Sequence, residues 1–198
     1  MKIQRLLWAI SCLFFLATQA LHAQATIPCE IAFDEVDPFD SLRTVGSPVV
    51  PLGYMIPSKY ETINGPRFVE EMEVIAIYAE SDSISGFFLN LVVPEYKLQP
   101  IAAGDNVLFL MQDTSVIGLQ NYPDEGEFDR TINMRVYQHT CLLPLDYFYR
   151  LAAQKVLQIR IEYDRQYRTF TLSEEQQLNL QQALQCIGKQ VDLYPIRP

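Results

Sequence analysis

Two knots of acidic residues are the first places in this chain where chemistry could happen. Asp34, Glu35, Asp37 and Asp40 crowd one short stretch, and Asp124, Glu125, Glu127 and Asp129 surround Gly126 in another. Clustered carboxylate oxygens suit calcium, a hard cation that prefers oxygen ligands. The spacing departs from the EF-hand loop: counted from Asp34, its glycine position is Phe39, and no Glu closes the loop. Asp34, Asp37, Asp40, Asp124 and Asp129 are therefore weak calcium candidates, set against the plainer expectation of solvated acidic bends. Paired carboxylates can also split a glycosidic bond when they flank a cleft and one of them is held protonated. His139 and Cys141 form a third constellation, since a thiolate beside an imidazolium is an activated nucleophile. They lie two apart on one strand face, however, where side chains point in parallel rather than converge. No CxxC pair, GxSxG, HExxH, Walker loop or dinucleotide fingerprint is present. The expectation is a non-enzymatic domain with no cofactor beyond the weak calcium reading.

The compartment is written at the start of the chain. Lys2 and Arg5 precede an apolar run from Leu6 to Ala17, and small residues follow at Ala23 and Ala25. This pattern predicts a secretory signal peptide over residues 1–25, cleaved after Ala23 or Ala25, and a protein secreted to the periplasm or the exterior. The run is too short to span a bilayer comfortably, so an integral membrane protein is not expected. Cys12 sits inside the run rather than at its end, which argues against a lipid-modified cysteine. The whole chain carries a net charge of −9, and the leader holds two bases and no acids, so the mature chain carries −11. Such a chain repels nucleic acid and anionic lipid, leaving a protein or an envelope component as the expected partner. Three cysteines remain: Cys29, Cys141 and Cys186. An oxidising compartment allows two of the three to pair, and spacing does not choose which. Any pair closes a long loop, worth roughly 3–5 kcal/mol by chain entropy. The alternative is three buried thiols.

These residues must be positioned by the elements that carry them. Residues 28–36 make a short strand candidate. Residues 38–66, with five prolines and three glycines, predict an irregular segment, though Val49, Val50, Leu52, Tyr54, Met55 and Ile56 should hold it against the body. Strand signals then come at short intervals. Met72, Val74, Ala76 and Tyr78 share one face, as do Leu89, Leu91 and Val93. NVLFLMQ and VIGLQN flank a turn and read as a hairpin. In TINMRVYQHTC, Ile132, Met134 and Val136 oppose Arg135, Tyr137, His139 and Cys141. Pro144 opens a short helix, LDYFYRLAA. Residues 155–172 read as strand, turn and strand, with Leu157, Ile159, Ile161 and Tyr163 on the apolar face. Ser173 and Gln176 form a capping box for a helix whose stripe is Leu180, Ala183, Leu184 and Ile187, and Gly188 is expected to stop it. Tyr147, Phe148, Tyr149, Tyr163 and Tyr167 are candidates for protein contacts or core packing.

The predicted fold is mainly β with a C-terminal helix, of α+β class: an antiparallel sandwich or meander with the helix packed on or beside the sheet. Residues 26–198 form one domain. The acidic aromatic patch Asp37-Pro38-Phe39, the segment FFLNLVV and the Ile159-Arg160-Ile161 strand with its turn, partner strand and helix resemble a group of uncharacterised secreted β-rich proteins of Bacteroidota. The resemblance implies this fold and no established activity; the Thr-Gly that often follows the acidic Phe is Asp40-Ser41 here. The leading functional expectation is binding, or a structural part in the cell envelope. The alternatives are a glycosidase-like hydrolase using the clustered carboxylates and a calcium-dependent adhesion module.

Overall fold

Alternation of apolar and polar side chains at period two builds almost the whole body. A computed structural model describes residues 29–99 and 101–194, so the predicted leader lies outside the described residues. The strands are β1 (Phe33–Val36), β2 (Arg43–Gly46), β3 (Val50–Thr62), β4 (Gly65–Glu80), β5 (Ser85–Glu95), β6 (Gly104–Met111), β7 (Val116–Asn121), β8 (Glu127–Asp129), β9 (Met134–Leu143), β10 (Val156–Glu162) and β11 (Tyr167–Thr171). Helix α1 (Leu145–Ala153) lies between β9 and β10, and α2 (Glu174–Gln190) follows β11. They form one continuous antiparallel sheet, in the order β1-β2-β4-β5-β9-β7-β6-β10-β11, with β3 added to β4 and β8 to β9. The fold is thus mainly antiparallel β with two helices, one of them at the C-terminal end beside the sheet. The sheet curls until β11 comes back near β3, and Arg168 of β11 reaches Glu71 of β4.

The inward face holds the core. Met72, Val74, Ala76 and Tyr78 are buried on β4, and Leu89, Leu91 and Val93 on β5. From the helices come Phe148, Leu151, Leu180, Leu184 and Ile187. Phe148 stacks on Phe87 at 3.9 Å. The capping box forms as its sequence predicts, with Ser173 accepting from the Gln176 amide and the Gln176 side chain accepting in return. Glutamines then bind α2 to its neighbours. Gln176 donates to the Gly53 carbonyl, while Gln181 and Gln185 both donate to the carbonyl of Ala152 at the end of α1, which leaves fewer orphan carbonyls at that terminus.

The structure corrects the reading in four places. Residues 38–66 are not irregular: they hold β2 and the long strand β3. The prolines are tolerated because β3 pairs only with β4, so Pro51 and Pro57 interrupt no second ladder. A bulge between Leu52 and Met55 accommodates Gly53 at φ +79°. Ser47 patches the gap between β2 and β3, its hydroxyl accepting from the Ala76 amide. In β9 the buried face is Tyr137, His139, Cys141 and Leu143, not Val136. In β10 a bulge between Val156 and Gln158 buries Val156 in place of Leu157. Gly188 does not end α2, which continues to Gln190. It is a buried close-contact glycine, where an added Cβ would lie 2.7 Å from both the Phe148 ring and Tyr194 Cβ.

Candidate functional site

One end of the curled sheet gathers ionisable groups that the strand pattern hides. Arg168 shares the inward face of β11 with Phe170, because Ile161 pairs with Arg168 and Ile159 with Phe170. Its guanidinium crosses to two carboxylates, 2.9 Å from Glu95 and 3.0 Å from Glu71, and donates to the Pro94 carbonyl at 3.1 Å. Glu95 is 4 % exposed. Tyr163, at the end of β10, donates its hydroxyl to Glu95 at 2.9 Å. Burial works against the Arg168 charge, but Glu95 and Glu71 outweigh it and hold the guanidinium pKa above its ordinary value. Burial, aided by the Glu95 charge, raises the pKa of Tyr163.

An aromatic stack continues inward. His139 lies 5.9 Å from the Tyr137 ring, parallel to it, and 6.2 Å from Tyr163, edge on. Both His139 ring nitrogens are buried without a hydrogen-bond partner among the described residues. Desolvation lowers its pKa to about 4, against a smaller opposing pull from Asp124. The Tyr137 hydroxyl accepts from the Gln99 amide at 2.6 Å. An open cleft of about 540 Å³ lies outside, between residues 97–99 and 163–166, and Gln166 donates to Gln99 within it.

The arrangement is a network of paired charges in which one guanidinium serves two carboxylates. Both carboxylates meet the same guanidinium, and the imidazole is neutral near pH 7. The predicted Cys141–His139 pair lies wholly inside: the thiol contacts the His139 carbonyl at 3.7 Å, and burial pushes its pKa up to about 12. A thiol in that state is a poor nucleophile.

The acidic knots are kept apart by their own turns. Asp34 pairs with Arg43 at 2.8 Å and accepts from Gln190, and these bonds lower its pKa to about 2. Asp37 accepts from the Phe39 amide and Asp40 from the Leu42 amide. Asp124 accepts from Gly126 and Gln138, and Asp129 from the amide and hydroxyl of Thr131. Among the described residues, no group of three or more His, Cys, Asp or Glu is placed to hold a metal ion. Cys29 and Cys186 form a disulfide, and Cys141 is the free thiol among the described residues. Phe148 is buried, Tyr147 and Tyr149 pack on the core, and Tyr167 is exposed beneath the Arg160 guanidinium.

Glu71, Glu95 and Arg168 were missed by sequence reasoning. A signal existed for Arg168, an ionisable residue in phase with Phe170 and Leu172 on the apolar side of its strand. No helix among the described residues is long and apolar enough to cross a membrane. The class that fold and site define is a curled antiparallel sheet with a largely buried, ion-paired polar end. Comparison with known proteins adds no family to that class: no family model, curated protein or solved structure matches the chain.

Proposed function

We propose that the chain is an exported, non-enzymatic domain that acts by binding in the cell envelope. The observation that carries this reading is the Arg168 bridge. The inward-facing acids meet each other's cation instead of an open pocket, while large apolar side chains stand in solvent on a two-stranded arm. That arm is the outer part of β3 and β4, where each strand pairs only with the other. It exposes Tyr54, Met55, Tyr60, Ile63 and Phe68, with Ile63 fully exposed at its tip. It is held against the body, since Lys59 donates to the Tyr96 carbonyl and Arg67 to that of Thr131. Rigid, exposed tyrosines lose little entropy on contact, which suits protein recognition. The Cys29–Cys186 bond and the apolar leader of the sequence support export to an oxidising compartment.

The test is cosedimentation of the purified mature protein with isolated bacterial envelopes. The wild type should pellet with them, and a Tyr54→Ser/Phe68→Ser variant of unchanged melting temperature should stay in the supernatant. Equal partitioning of the two would reject the arm as the contact. Hydrolysis of an envelope polysaccharide, abolished by Glu95→Gln in a folded protein, would reject the non-enzymatic reading.

A further inference from the structure

A second surface, independent of the arm, carries a more specific assignment. On the outward face of the sheet two cross-strand rows lie side by side. Val116, Leu110, Gln158 and Thr171 make one row, and Gly118, Leu108, Arg160 and Thr169 the other, running from β7 through β6 and β10 to β11. The β7–β6 half is apolar and the β10–β11 half polar. An open groove of about 130 Å³ runs across the boundary, lined by Leu108, Leu110, Val116, Gln158, Arg160 and Thr169. Val116 is 58 % exposed on its rim.

Arg160 is oriented but unpaired. Its Nε donates to the Thr169 hydroxyl at 3.1 Å, and its guanidinium lies 4.4 Å from the centre of the Tyr167 ring. Among the described residues no carboxylate is within ion-pair distance of it, although the chain holds 24 acidic and 15 basic residues. Gln158 is also half-committed: its amide nitrogen donates to the Thr171 hydroxyl at 3.3 Å, and its carbonyl oxygen remains an acceptor. A held guanidinium presents parallel N–H donors that match a carboxylate in two-point contact.

We propose that this groove binds the C-terminal end of a polypeptide whose last side chain is aliphatic. The terminal carboxylate pairs with Arg160, the aliphatic side chain lies on Leu108, Leu110 and Val116, and the last backbone N–H donates to the Gln158 carbonyl oxygen. Charge complementarity selects an anionic ligand, and the apolar floor selects against a sugar acid. A fatty acid would satisfy Arg160, but it would leave the Gln158 acceptor unmatched and overrun a groove of roughly one side chain's size.

The experiment is fluorescence anisotropy on the disulfide-intact mature protein. The probe is a short peptide labelled at its N-terminus and ending in Val-Leu with a free carboxylate; the control is the same peptide as the C-terminal amide. The acid should bind, with the amide weaker by about tenfold or more, the loss of one charge-assisted pair. Arg160→Gln should reduce the acid to the level of the amide at an unchanged melting temperature. Val116→Asp, at an exposed position that tolerates a polar side chain, should weaken the acid similarly by facing it with a like charge. Octanoate should not displace the peptide. Absence of binding, equal binding of acid and amide, or indifference to both substitutions would overturn the assignment. Displacement by octanoate at the peptide's own concentration would also overturn it, in favour of a free fatty acid.

Discussion

His139 is the residue whose surroundings depart furthest from its chemistry. It lies in a buried stack of rings, and neither nitrogen has a hydrogen-bond partner among the described residues. The folded protein therefore holds it neutral, with its pKa lowered from 6.5 to about 4. The unfolded chain takes up a proton below about pH 6.5 that the folded chain refuses until about pH 4. The stabilisation is thus fully present above pH 6.5 and is lost as the pH falls between those values. The full drop is worth about 3 kcal/mol. The charged and titratable groups around the ring are Tyr137 on its own strand, Tyr163 just after β10 and Asp124 from the β7–β8 loop; the Glu95–Arg168 pair lies beyond Tyr163. Urea unfolding at pH 7.5 and pH 4.5 should show the wild type losing more stability than His139→Phe, which has no proton to gain. Equal losses in the two proteins would mean that the imidazole is solvated in the folded state.

The two helices show how an element's boundaries obey packing as well as local preference. Gly188 has a terminator's identity, but its missing side chain is what lets α2 approach α1. Gly188→Ala should raise intrinsic helix propensity by about 1 kcal/mol. It would also drive a methyl group to within 2.7 Å of Phe148, whose ring is already stacked on Phe87. Overpacking of this kind costs about 1–3 kcal/mol, so the variant should melt at a lower temperature than the wild type despite its better helix former. A higher melting temperature would show that α1 gives way freely. In β3 the same competition runs the other way. Its prolines argue locally against a strand, and its place at an edge, paired on one side only, removes their penalty.

At the scale of the molecule, one covalent tie and one ionic bridge hold distant parts together. The disulfide joins Cys29, at the start of the described chain, to Cys186 near its end, across 157 residues. Closing so long a loop is worth up to about 5 kcal/mol in the chain-entropy account. A Cys29→Ser/Cys186→Ser variant should therefore unfold at clearly lower urea. Unreduced protein lacking residues 1–25 should react with one thiol reagent equivalent after unfolding, at Cys141; three equivalents would exclude the bond. Arg168 performs the ionic part, linking β11 to Glu71 and Glu95, which lie 97 and 73 residues earlier.

What was legible in the residues was local. Met72, Val74, Ala76 and Tyr78 announce a buried strand face because side chains alternate across a strand. Ser173 and Gln176 announce a helix start because the capping bonds span three residues. The hairpins on either side of the Asp113 and Asp164 turns belong to the same kind. In β10 the predicted phase holds for Ile159, Ile161 and Tyr163, and only Leu157 gives way to Val156 across the bulge, since alternation carries no memory across such a break. In β9 the alternation is as predicted, but it does not say which face, that of Val136 or that of Tyr137, His139 and Cys141, the core covers. The tertiary structure alone decided which cysteines pair, which carboxylates meet Arg168 and which strands bring Arg160 beside Leu108. Each of these depends on sheet order, and that order is chosen by burial of the whole core rather than by any window of neighbours.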